Sequence, residues 1–117
     1  MITIMISGGA GYLGTELTKH LIKKYNIVIY DKFYFSWLKK NKKKLKSKNK
    51  IKFIQKDINE IKNKDFKNVD IVCDLNGIPN DPASEINPKL TWDVNFYGRY
   101  KFAKKAKESG VKRFIFN

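Results

Sequence analysis

The segment that most restricts this chain is SGGAGYLG, residues 7–14, which places four glycines in eight residues between an apolar run and an amphipathic stretch. Before it, Ile2 to Ser7 (ITIMIS) is short, branched and uncharged, the pattern of a strand buried on both faces. After it, Leu13, Leu17, Leu21 and Tyr25 recur every four residues, which predicts a helix from Tyr12 that closes near Asn26 with one apolar face. A strand that hands over to a helix through glycines confines the chain to α/β architectures. Glycines at such a junction let the backbone turn tightly and let the helix approach the strand. They also leave the first helical turn uncovered, so its unpaired N–H groups and the positive end of the helix dipole can hold an anion. Two spacings fit at once, Gly8, Gly11 and Gly14 as GxxGxxG and Gly9, Gly11 and Gly14 as GxGxxG, and spelling alone does not separate them.

The remainder of the chain extends that unit. Ile27–Tyr30 (IVIY), Ile51–Gln55, Val69–Leu75 (VDIVCDL) and Val111–Phe116 (VKRFIF) are four further candidate strands. Leu90 to Ser109 reads as a long helix, and Gly110 stands where a left-handed cap residue is expected. Strands that alternate with helical segments and are mostly apolar on both faces argue for a parallel sheet with helices on each side, in the order 3-2-1-4-5. No solenoid-type repeat and no Ser/Gly linker interrupts the chain, so residues 1–117 are read as one domain.

Composition removes several alternatives. A chain of 117 residues with 42% hydrophobic and 31% charged residues can bury one core, roughly two-thirds of the surface exposed when unfolded. The early apolar run, Ile2 to Ile6, is too short for a membrane span or a signal-peptide core, and the chain reads as cytoplasmic. One cysteine, Cys73, and one histidine, His20, exclude an internal disulfide and a Cys/His zinc site. A net charge of +14 would ordinarily suggest nucleic acid. Only Arg99 and Arg113 of the 25 basic residues are arginine, however, and arginine is the residue suited to bidentate phosphate and base contacts. The lysine excess therefore reads as compositional drift. Its densest stretch, Lys39 to Lys52, with nine lysines in fourteen residues, reads as a solvated segment with Trp37, Leu38 and Leu45 as anchors.

An acidic residue gives the glycine loop a more specific meaning. Asp31 ends the second strand, twenty residues after Gly11, where a carboxylate can accept hydrogen bonds from the ribose hydroxyls of a bound dinucleotide. Taken together, SGGAGYLG, the YDKF turn (Tyr30 to Phe33), KDI (Lys56 to Ile58), the stretch Asp74 to Gly98 and the closing VKRFIFN resemble the extended short-chain dehydrogenase/reductase family. Within it they resemble the NAD-dependent sugar-nucleotide epimerases and dehydratases. The resemblance implies a Rossmann-type doubly wound sheet, here ending after its fifth strand. It implies NAD as cofactor, with Gly8, Gly11, Tyr12, Leu13 and Gly14 around the pyrophosphate, Asp31 and Lys32 at the ribose, and Asp57 and Ile58 at the adenine. Leu75, Asn76 and Gly77 would form a wall after the fourth strand, and Asn95 would lie on the helix behind the cofactor, although an ordinary polar helix residue explains Asn95 as well. The Asp31 carboxylate favours NAD over NADP, with Lys32 as a neighbouring cation that works against this preference.

The chain also departs from the family pattern. Asn76 and Gly77 stand where two alanines are common: Gly77 preserves the space, and Asn76 adds a polar group of no evident use. The family's Ser or Thr after the fifth strand and its Tyr-x-x-x-Lys pair on the next helix would lie beyond Asn117, so no catalytic residue is assigned and this chain alone is expected to be inactive. Tyr97/Lys101 and Tyr100/Lys104 repeat that spacing but precede the fifth strand, and they are rejected. The resemblance further implies hydride transfer to and from bound NAD, a nucleotide-sugar substrate and a homodimer for the full-length form. A non-catalytic dinucleotide-binding sensor and a basic nucleic-acid-binding domain remain alternatives at this point. Among other residues, His20 reads as a surface or boundary position, Cys73 as an inert buried thiol, and Trp92, Phe96 and Phe102 as packing residues. Asn80 and Asp81 could border a substrate pocket, and a turn before Pro82 explains them equally well.

Overall fold

In this computed structural model the described residues are 1–32, 40, 47–76, 89 and 93–117. The glycine loop connects β1 (Thr3–Ser7) to α1 (Tyr12–Leu21), which is followed by β2 (Asn26–Asp31) and β3 (Ile51–Gln55). Two short 3-10 turns, Ile58–Glu60 and Asn63–Phe66, lead to β4 (Ile71–Asp74). A π-helical turn at Asp93–Gly98 runs into α2 (Arg99–Glu108), and β5 (Arg113–Phe116) completes the order. The five strands form one sheet in the order β3-β2-β1-β4-β5, and every neighbouring pair is parallel. The doubly wound parallel arrangement expected from the sequence is therefore the one observed.

The continuous apolar runs are explained by two cores, one on each face of the sheet. Alternate residues of a strand point to opposite faces. Met5, Val28, Tyr30 and Val72 join Phe66, Phe102 and Ala106 on the α2 side. Ile4, Ile6, Ile27 and Ile29 join Ile22 and Ile51 on the other side, where Leu17 and Leu21 of α1 pack against them. Phe102 is fully buried and meets the rings of Tyr30, Phe66 and Phe114 edge-on at 5.4, 5.2 and 6.3 Å.

Several boundaries differ from the sequence reading. Helix α1 stops at Leu21 and is capped by Ile22; Tyr25 lies in the turn that follows, its N–H donating to Leu21 O at 3.0 Å. The buried stripe of α1 runs through Gly14 and Thr18, whereas Leu13 is 52% exposed. Small residues on that stripe let the helix lie close to the sheet. Val69 belongs to the turn before β4, since its N–H bonds Phe66 O at 3.0 Å, and β5 begins at Arg113. As an edge strand, β5 is largely exposed, with Ile115 and Phe116 both open to solvent. The described part of the long helix opens with the π turn before becoming α-helical. Gly110 has φ +85°, as a left-handed cap requires. Trp37, Leu38, Leu45, Gly77, Asn80, Asp81 and Trp92 lie outside the described residues, as does most of the lysine-rich stretch. Among the described residues no helix is long and apolar enough to cross a membrane.

Candidate functional site

The glycine loop sits at the carboxyl end of β1, between β2 and β4, where the connections leave in opposite directions and open a crevice. Each glycine there has a different physical reason. Gly8 has φ +74°, and a Cβ on it would lie 2.8 Å from Leu75 C and O and 2.9 Å from Asn76 N, so the loop crosses the end of β4 backbone to backbone. At Gly14 a Cβ would lie 2.4 Å from Gly9 Cα, because the first turn of α1 rests on the loop. Gly9 is hemmed in as well, by Ile6 O at 2.9 Å and by the Ile29 side chain. Both glycine spacings are therefore occupied by packing requirements.

Gly11 is the exception. The nearest atom to a Cβ there is Gly8 O at 3.8 Å, an ordinary contact, and its φ of −75° and ψ of −179° suit any residue. Nothing in the described protein excludes a side chain at Gly11, yet it is the cap of α1. That cap offers no side-chain hydrogen bond, and the first turn contains no acidic residue. The N–H groups of Tyr12, Leu13 and Gly14 are in the first turn, where no intrahelical carbonyl can reach them. The Tyr12 and Leu13 side chains are 85% and 52% exposed around this opening. A cradle free of side chains, lined by donors and carrying the positive end of a helix dipole, is suited to an anion.

Asp31, the last residue of β2, reaches this loop: Ala10 N–H donates to its Oδ2 at 2.9 Å. Its carboxylate thus fixes the loop and flanks the cradle. Beside it, Lys32 pairs with Asp57 at 3.6 Å across an exposed gap. Asp57 caps the first 3-10 turn by accepting from Asn59 N–H at 2.9 Å, while Glu60 reaches back to the Asp57 N–H. The Asp57 carbonyl accepts from the Tyr30 hydroxyl at 2.8 Å. Burial, reinforced by the nearby carboxylates of Asp65, Glu60 and Asp57, pushes the Tyr30 phenol well above its ordinary 10.0, so it remains a donor. Ile58 is 5% exposed and packs into the core; its contribution to any ligand must come from the main chain.

On the other side of the loop stands a group that reading the sequence missed. Asp74, at the end of β4, is completely buried. Its Oδ1 accepts from Ser7 Oγ at 2.9 Å, Asn76 N–H at 3.0 Å and Asn76 Nδ2 at 3.1 Å, and its Oδ2 accepts from Arg99 Nε at 2.8 Å. The available signal was an acid inside an apolar strand, together with one of only two arginines in a chain that elsewhere uses lysine. Leu75 and Asn76 follow β4 as expected, and the backbone of Asn95 lies in the π turn.

The lesser candidates separate cleanly. Tyr97 and Tyr100 are exposed, and Lys101 Nζ donates to Asn59 O at 2.7 Å. His20 is exposed. Phe102 is core, whereas Phe96 is 52% exposed, a correction to its reading as a packing residue. Cys73 is partly rather than fully buried, and that burial still raises its thiol pKa.

The sequence model of the NAD dependent epimerase/dehydratase family matches residues 4–117. The chain belongs to that family. Three solved structures illustrate the similarity. The UDP-glucose-4-epimerase from Stenotrophomonas maltophila, determined with bound NAD and formylated UDP-arabinopyranose, superposes with a TM-score of 0.88 at 20% identity, over 99% of this chain and 36% of that one. UDP-glucose 4-epimerase from Bifidobacterium longum, in complex with NAD+ and UDP, gives 0.88 at 23% identity over 98% and 36%. UDP-glucuronic acid 4-epimerase from Bacillus cereus, with UDP-glucuronic acid and NAD, gives 0.79 at 26% identity over 98% and 39%. The epimerase/dehydratase chain described here thus spans little more than a third of the length of these structures. No curated protein matches it.

Proposed function

We propose that this chain is the dinucleotide-binding part of a sugar-nucleotide epimerase or dehydratase that uses NAD. The observation that carries the reading is the open side of Gly11, in a loop whose other glycines are hemmed in by protein atoms. A cradle that a single Cβ would fill, at an uncapped helix start beside Asp31, fits a dinucleotide pyrophosphate. The main-chain N–H groups of Tyr12, Leu13 and Gly14 would donate to its oxygens, and Asp31 would accept from the adenosine ribose. Asp57 and the main chain of Ile58 would border the adenine, with Lys32 close by. Leu75, Asn76 and Gly77 would form the opposite wall, backed by Asn95.

When bound, NAD supplies reversible acceptance of a hydride from a sugar carbon. The residues of this chain do the holding: Asp31 and Ala10 fix the loop, and the sheet keeps both walls of the crevice at a constant separation. The Asp31 carboxylate stands where NADP would bring a second negative charge, so NAD is the favoured dinucleotide. A nucleotide sugar is the substrate proposed for the whole enzyme, and a homodimer its proposed form. Calorimetric titration of the chain with NAD and with NADP tests the reading: saturable NAD binding in preference to NADP supports it, and no binding of either overturns it.

A further inference from the structure

The Asp74–Arg99 pair belongs neither to the glycine loop nor to the two cores. It occupies the carboxyl end of β4, on the side of β1 opposite Asp31. Arg99 is 16% exposed at its side chain and Asp74 fully buried. A buried carboxylate is unfavourable unless it is paired and its remaining lone pairs are filled, and both conditions are met here. Arg99 satisfies Oδ2 through Nε, while Ser7 and Asn76 fill Oδ1. Arg99 Nη2 also donates to Asn117 O at 2.9 Å, and the guanidinium lies 4.8 Å over the Phe116 ring. The fork thus ties the start of α2 to the ends of β4 and β5, a task for which a lysine has too few donors in fixed directions.

Asn76 depends on this arrangement. Asp74 holds it by both its main-chain N–H and its Nδ2, so its carboxamide has one orientation. Among the described residues nothing donates to the Oδ1 of that amide, and Asn76 is half-buried beside the Gly8 crossing. Asp31 and Asn76 therefore bracket the glycine loop from opposite sides, the first from β2 and the second from β4. A dinucleotide whose adenosine half lies toward Asp31 and whose pyrophosphate lies on the loop must extend its other half toward Asn76.

We propose that Asn76 is a recognition residue for the non-adenosine half of the dinucleotide, its Oδ1 accepting a hydrogen bond from that half, and that Asp74, neutralised and held by Arg99, is the residue that positions it. This rests on the dinucleotide reading above. Asn76→Ala leaves Asp74 its bonds to Ser7, Arg99 and the residue 76 N–H, so the fold is retained while the acceptor is lost. Arg99→Lys keeps the charge and removes the fork.

Calorimetric titrations of the full chain with NAD and with AMP, which carries the adenosine half alone, test the proposal. In both variants NAD should bind about fivefold more weakly, the loss of one hydrogen bond, with AMP affinity changed by less than about twofold. NAD binding at wild-type affinity by Asn76→Ala, with the wild type binding both probes, overturns the proposal while leaving the dinucleotide reading intact. Equal loss of NAD and AMP in Arg99→Lys overturns the positioning role, because a general loosening of the sheet affects both probes. A wild-type chain that binds neither probe overturns this inference together with the reading on which it rests.

Discussion

Replacing Gly11 and Gly14 by alanine, one at a time, separates a loss of ligand from a loss of fold. At Gly14 the new methyl would lie 2.4 Å from Gly9 Cα and 2.6 Å from Gly9 O, and main-chain atoms cannot swing aside. Overpacking typically costs about 1–3 kcal/mol, and an unyielding backbone places this site at the upper end. Better helix propensity offsets about 1 kcal/mol of that, so Gly14→Ala should lose about 2 kcal/mol net, a fall in Tm of about 10 °C. At Gly11 the nearest atom is 3.8 Å away and the backbone is extended. A poorer helix cap costs about 0.5 kcal/mol, and a less flexible unfolded chain compensates by about the same amount. Gly11→Ala should therefore unfold at the wild-type urea concentration. In the proposed cradle its methyl would stand in the path of phosphate oxygens toward the first-turn N–H groups, and NAD affinity should fall at least about tenfold, or about 1.4 kcal/mol. Urea unfolding and NAD calorimetry on the same preparations read both quantities. Wild-type NAD affinity in Gly11→Ala would refute the cradle, and wild-type stability in Gly14→Ala would refute the close helix–loop contact.

Asp31→Asn keeps an acceptor for the Ala10 N–H but removes the charge, so the ratio of NAD to NADP affinity should drop; an unchanged ratio in paired titrations would remove Asp31 from cofactor choice. Phe102→Ala should cost about 3–5 kcal/mol in denaturant unfolding, since the ring is fully buried and touches three others; a loss well below that range would show that the α2 face is not a packed core. Burial raises both the Tyr30 phenol and the Cys73 thiol above their ordinary 10.0 and 9.0. For acids raised in the folded state, that stability is complete below the unfolded-state values and is lost as pH rises through the folded-state ones. Stability should therefore fall as pH rises above about 9, and above about pH 10 less steeply in Tyr30→Phe; identical slopes for wild type and variant would contradict this.

The sheet was legible because its central strands are apolar on both faces, so ITIMIS and IVIY announce buried parallel strands without reference to any partner. The glycine loop was legible for a related reason: its residue types are dictated by local geometry. What escaped was whatever depends on residues distant in sequence. Leu13 fits the helical spacing yet is exposed, because the buried positions of α1 are Gly14 and Thr18, with Leu17 and Leu21 packing beside them. Val69 looks like the start of a strand but completes the turn after Phe66. Asp74 and Arg99 are 25 positions apart, and no local pattern links them; only the packing of α2 against the end of β4 makes them a pair. The same holds for the Tyr30 hydroxyl and the Asp57 carbonyl, which meet across the gap between β2 and the first 3-10 turn.

The crossing of Gly8 over Leu75 bears on the order in which the molecule assembles. Strand β1 is the first made, yet one of its two neighbours is β4, with Ile4 opposite Ile71, and its Thr3 N–H is bonded by Asp70 from 67 residues away. Contacts of such long separation form late, because the intervening chain must first be gathered in. During synthesis β1, α1 and β2 can associate while β4 has yet to emerge, leaving one side of the central strand unpaired. The loop gains its second wall only when β4 docks, so the nucleotide binding proposed for it cannot precede the pairing of β1 with β4. Recovery of nucleotide binding during refolding should accordingly follow the formation of the β1–β4 pair and not the earliest collapse.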